Sequence, residues 1–183
     1  MKIDAKTALR SVENLLTAIG GSGVNALTES GMFVMVDESY STVTPQEVKT
    51  MMANSPLTAS IAKRLSVPQE IKTMMANSPP RPPTIKMLAD ELGDCDDFAL
   101  HLKAVMAART RRDNMMNGTD TPPPAFGIIF SQDHALNVFV TTDERGGIYT
   151  MLSDASDPNR PITADPNKAT QMLKTLPVRI VYM

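Results

Sequence analysis

Cysteine occurs once in these 183 residues, at Cys95. A single thiol excludes an internal disulfide framework and a cysteine-rich zinc site. Tryptophan is absent and aromatic residues make up 4%. The core must therefore come from aliphatic side chains and from the 14 methionines, which pack adaptably but define shape poorly. An excess of charge is missing too. The formal net charge is −2, which gives no electrostatic reason to expect nucleic acid or an acidic membrane as a partner. The one basic cluster, Arg109 to Arg112, falls at the end of an expected helix, where the dipole favours cations. No apolar run approaches the roughly 20 residues that a spanning helix needs. Residues 1–16 carry Lys2, Asp4, Lys6, Arg10 and Glu13 in place of a signal peptide's unbroken apolar stretch. These absences lead us to expect a cytoplasmic protein in a reducing compartment, with no membrane and no nucleic acid among its partners.

What is present is enough apolar residue, 42%, for a real core, and a length that suits one compact domain. Apolar residues at Ala8, Val12, Leu15, Leu16 and Ile19 make a helical stripe that Gly20-Gly21 ends. Residues 31–37 read as a short buried strand. An internal repeat follows: residues 45–56, from Pro45 to Pro56, recur as residues 68–79, with only Val48 against Ile71 differing. Each copy reads as one short helix, opened by proline, with an acid in its first turn, and closed by proline. Two near-identical copies argue against a solenoid. Either a duplication is tolerated at the surface, or the helix is a doubled docking element or flap. Pro79-Pro80-Arg81-Pro82-Pro83 is a stiff extended break. It divides residues 1–83, a helical N-terminal part with the Met-rich duplication, from residues 84–183.

The second part reads as a helix at 84–91 and a long helix at 95–113. A proline-rich loop at 114–124 leads to strands at 125–131, 134–141 and 147–154. A short helix at 167–175 and a strand at 176–183 complete it. Helices precede an antiparallel sheet, which is the α+β class.

Cys95 lies in Gly93-Asp94-Cys95-Asp96-Asp97-Phe98-Ala99-Leu100, a turn feeding a helix for which Asp94 is a natural N-cap. A thiol in a first helical turn lies beside unpaired N–H groups and the positive dipole end, both of which favour the nucleophilic thiolate. The carboxylates of Asp94, Asp96 and Asp97 oppose this, so a nearby imidazolium would have to offset them. Asp133-His134-Ala135-Leu136-Asn137 opens a strand 39 residues after the cysteine. Its His134 can project toward the helix tip. His101, six residues along the helix from Cys95, is nearly two turns away and is expected on the helix surface.

A third member follows from hairpin geometry. If Thr141 faces Gly147, then His134 faces Asp154, and a carboxylate there can accept from the imidazole and fix its tautomer. A one-residue slip in the loop would set Asp154 diagonal to it. Asp157 is an alternative past the strand end, Asp143 sits too far off in the turn, and Asn137 points to the other face. The oxyanion donors would be the Cys95 N–H and one upstream side chain, with Asn77, Gln69 and Asn54 all available and none selected.

Together, the Asp-Cys-Asp-Asp-Phe-Ala helix start and the His-Ala strand resemble the transglutaminase-like and papain-like cysteine hydrolases. They are similar to the bacterial transglutaminase-like cysteine proteinases and to a phage-encoded group related to the protease domain of a mushroom agglutinin. The resemblance covers residues 84–155. It implies a sheet packed on the cysteine-bearing helix, with Cys95 as nucleophile, His134 as general base and Asp154 as orienting acid. The chain departs from the agglutinin-related pattern by lacking a Glu-Pro pair after the His strand and by having Asp133 where a glycine is common. Calcium dependence occurs in that group, but acids adjacent on a helix start cannot all face one ion, so neither metal nor cofactor is expected. The expected activity is a cysteine-dependent amide hydrolase or acyl transferase acting on a protein or peptide. The alternative is a non-catalytic binding protein on the same scaffold, phage-encoded and directed at a host factor in the host cytoplasm. Its duplicated Met-rich helices would be the contact surface.

Overall fold

The computed structural model describes residues 1–20, 27–54, 95–156, 162–173 and 178–183. Within these, strand β1 (Lys2–Asp4) leads into α1 (Ala5–Gly20), followed by β2 (Leu27–Val34), β3 (Ser39–Ser41) and α2 (Pro45–Asn54). Helix α3 (Cys95–Asn117) precedes β4 (Phe126–Phe130), β5 (Ala135–Thr142) and β6 (Ile148–Ser153), and α4 (Pro166–Leu173) precedes β7 (Val178–Tyr182). The second copy of the repeat, the proline break, the helix expected at 84–91, and Asp94 and Asp157 lie outside the described residues.

Local chemistry explains the helix starts. Asp4 caps α1 by accepting the Thr7 N–H at 2.6 Å, and that bond holds its carboxyl below the ordinary range. Thr44 and Glu47 form a capping box on α2. The Glu47 N–H donates to Thr44 Oγ1 at 3.2 Å, and the Thr44 N–H to Glu47 Oε2 at 2.8 Å. Pro45 takes the first helical position, where its missing N–H costs nothing.

The class is mixed α+β, with four helices among the described residues. Five strands form one sheet in the order β2-β7-β4-β5-β6. Its pairs are antiparallel except β2–β7, which is parallel. Two expectations are corrected here. The sheet is not wholly antiparallel, and the N-terminal part is not simply helical. It supplies the edge strand β2 to the main sheet and a separate two-stranded ladder, β1 with β3. The parallel pair joins β2 to a strand that enters the sheet far later in the chain, so no hairpin connects them.

Helices cover both faces. On one, Val12, Leu15 and Leu16 of α1 and Ala169, Met172 and Leu173 of α4 pack on Ile129, Leu136, Val138, Val140, Leu152 and Val181. On the other, Phe98, Leu102 and Met106 of α3 and Val48 and Met52 of α2 pack on Phe126 and Phe139. Those two rings stack with centroids 6.0 Å apart, one of the few aromatic contacts that this composition permits. Residues on both sides of position 83 thus share one core.

Polar stitches fix α3 on the sheet. The fully buried Asn137 donates from Nδ2 to the Ala99 carbonyl on α3 at 2.9 Å and to the Gly127 carbonyl on β4 at 3.2 Å. Lys103 Nζ donates to the Phe126 carbonyl at 3.0 Å and lies 4.9 Å from the centroid of the Tyr182 ring. Burial lowers the Lys103 pKa below its ordinary value, against the opposing charge of Asp37. His101 is half-buried, not on the open surface, and its Nε2 is shut from solvent without a hydrogen-bond partner among the described residues. No described helix is long and apolar enough to cross a membrane.

Candidate active site

Cys95 is the first residue of α3 and is half-buried. Asp96 and Asp97 occupy the same first turn, where carboxylates suit the helix dipole. Because α3 lies across β4 and β5, its N-terminal tip reaches the start of β5. There the Ala135 backbone N–H donates to Cys95 Sγ at 3.3 Å. An anionic sulfur accepts such a bond better than a neutral one.

His134 immediately precedes Ala135, so the imidazole and the N–H that binds the thiol come from adjoining residues of one strand entrance. Among the hydrogen bonds of the described residues, the thiol's runs to the main chain and not to the His134 ring. The histidine's backbone is pinned. Its carbonyl accepts from the Ser131 N–H at 2.9 Å and from the Ser131 hydroxyl at 3.1 Å, and that hydroxyl also lies 3.2 Å from the Leu173 carbonyl of α4. The turn between β4 and β5 is thereby tied to the opposite layer.

His134 and Asp154 are both buried, 4% and 1% exposed, and His134 Nε2 lies 3.1 Å from Asp154 Oδ2. Oδ1 of the same carboxylate accepts from the backbone N–H and the hydroxyl of Ser156. Burial acts to raise the Asp154 pKa. The hydrogen bonds from His134 and Ser156, with the charge of His134, outweigh it and leave the carboxyl below its ordinary value. An ionised Asp154 can only accept, so the Nε2–H of His134 is the donor in this contact.

The route to this contact differs from the expected one. In the β5–β6 ladder Thr141 faces Tyr149, not Gly147. Thr142 belongs to β5 and pairs with Ile148, so the ladder is shifted by two residues. The cause is the turn. Asp143 Oδ1 accepts the N–H groups of Arg145 and Gly147, the Asp143 N–H donates to the Gly147 carbonyl, and Gly146 adopts φ +81°, a left-handed conformation that favours glycine. The ladder's continuation would set Asp154 opposite Leu136. Asp154 instead follows the last residue of β6 and reaches His134 on the diagonal.

Asn137 points toward α3, where it serves as a cross-link. Asn54 ends α2 and is exposed, and Asn77 and Gln69 lie outside the described residues, so the upstream oxyanion donor stays unassigned. Sequence reasoning missed Ser131 and Ser156. Both flank the strand ends, and short hydroxyl residues there commonly bond the backbone. No group of three or more metal-ligating side chains occurs among the described residues.

No protein-family model matches this sequence, and no curated protein matches it. Among solved structures, the chain is similar to one described as the PSL1a–E64 complex, with a TM-score of 0.61 and 16% sequence identity. The match covers 100% of this chain and 50% of that one, so this chain spans half its length, and at this identity the likeness is one of fold.

Proposed function

We propose that this chain is a cysteine-dependent amide hydrolase or acyl transferase on a papain- or transglutaminase-like scaffold, working in a reducing, cytoplasmic setting on a protein or peptide. One observation carries the reading: a buried His134–Asp154 pair sits at the strand entrance whose next residue hydrogen-bonds the thiol at the tip of α3. The likeness to PSL1a, solved with E64, adds support at the level of the scaffold.

In this reading the Cys95 thiolate attacks a carboxamide carbon, and the Cys95 backbone N–H steadies the oxyanion. His134 delivers a proton to the departing nitrogen as the C–N bond breaks, leaving a thioester on Cys95. Water or an amine then attacks the thioester, His134 takes its proton, and the sulfur leaves as thiolate. Asp154 positions the ring and balances its charge throughout.

The test is alkylation of Cys95 by iodoacetamide across pH, read by mass spectrometry. An active site gives fast labelling well below pH 8, slowed at least about tenfold in His134→Ala. Protection of the thiol by E64 would add to the support. One observation favours a second reading, a non-catalytic binder on the same scaffold: the thiol's bond runs to the Ala135 N–H, which also suits a structural cysteine. Ordinary, His134-independent labelling would select that reading.

A further inference from the structure

We propose that an apolar strip running from Cys95 across four strands receives an apolar side chain of the substrate, about three residues from the attacked amide. This rests on Cys95 being the attacking group. The strand register lays the strip out. Ala135 of β5 pairs with Phe130 of β4, Phe130 with Ile180 of β7, and Ile180 with Met32 of β2. Their chain neighbours Leu136, Ile129, Val181 and Phe33 all pack into the core under α1. By alternation the four residues of the strip face the α3 side.

The tip of α3 covers one end. Ala135 is 2% exposed and belongs to a small cluster against which Cys95 and Phe130 pack. The other end is open, with Ile180 37% and Met32 54% exposed. Single exposed apolar residues need no explanation, but these two are register partners continuous with the residues beside the thiol. The next row includes Tyr182, whose ring carries the Lys103 ammonium, so the strip has a cationic border.

Spacing sets the substrate. Neighbouring strands lie about 4.8 Å apart, which places Ile180 roughly 10 Å from Ala135, and an extended peptide advances about 3.3 Å per residue. A side chain three residues from the amide at Cys95 therefore reaches Ile180, and one four residues away reaches Met32. A peptide segment with a large aliphatic residue at that distance is the occupant these dimensions fit.

The experiment compares Cys95 alkylation by iodoacetamide and by N-hexyl- and N-octyl-iodoacetamide, each rate divided by that of glutathione with the same reagent. The expected result is a preference for the octyl reagent of at least about tenfold, since full burial of roughly two methylenes suffices for that. Met32→Asp and Ile180→Asn should each lower the preference severalfold. The ratio is the readout, so a folding defect that slows both reagents alike does not imitate the result. An octyl preference no larger than that of glutathione, or one that survives both substitutions, would overturn the proposal. The iodoacetamide rate and its dependence on His134 test the catalytic reading separately.

Discussion

The carboxylate of Asp154 lies 3.1 Å from His134 Nε2, although the β5–β6 ladder sets neither residue opposite the other. The contact depends on where β6 stops and on Ser156 holding the second carboxylate oxygen. It is therefore sensitive to the charge and to the reach of residue 154. Asp154→Ala should slow iodoacetamide labelling of Cys95 at pH 7 by at least about tenfold, and Asp154→Glu should restore only part of the rate. Labelling of Asp154→Ala at the native rate would remove Asp154 from the site.

The same carboxylate makes stability depend on pH. Its pKa in the fold is below the ordinary 3.8, so unfolding takes up a proton in the acid range. The stabilisation is complete above that ordinary value and is lost as pH falls through the depressed one. Urea midpoints of the native chain should therefore drop more steeply below about pH 4 than those of Asp154→Asn. Parallel curves for the two proteins would contradict the assignment.

Asn137 joins α3 to β4 by donating to two main-chain carbonyls from a fully buried position. Asn137→Ala removes both bonds and opens a cavity, at a cost of about 1–3 kcal/mol. Denaturant unfolding measures it, and a loss under about 1 kcal/mol would show the link to be dispensable.

Gly127 has no room for a side chain. A Cβ there would lie 2.3 Å from the Tyr182 carbonyl oxygen and 2.7 Å from Met183 Sδ. Gly127→Ala should cost about 1–3 kcal/mol or more by forcing β4 from β7. Adding Met183→Ala frees the sulfur contact but not the backbone one, so the double variant should recover only part of the loss. Full recovery in thermal melts would place the strain on Met183 alone.

The sequence carried the periodic elements well. The Val12–Leu15–Leu16–Ile19 stripe became α1, and the strands expected at 125–131, 134–141 and 147–154 became β4, β5 and β6. It did not carry what depends on distant partners. The three-residue strands β1 and β3 are too short for a period to register and exist by pairing with each other. The parallel β2–β7 pair has no local signal at all. The meeting of His134 and Asp154 could be reached from the hairpin, but the turn at Asp143–Gly147 set a different alignment. That alignment turns on Asp143 capping two amides and on one glycine at positive φ. The placement of the Cys95 thiol beside Ala135 depends on how α3 crosses the sheet, which Asn137 and Lys103 fix through backbone carbonyls.

The parallel pair has a consequence for how the molecule assembles. Phe33 of β2 pairs with Val181 of β7, 148 positions later, and β7 also separates β2 from β4. During synthesis the early strand must wait, with its hydrophobic side chains uncovered, until nearly all of this sequence has emerged from the ribosome. So wide a separation between partners slows the search for the native topology. The interval before β7 inserts is when a nascent chain of this kind most needs shielding from its neighbours.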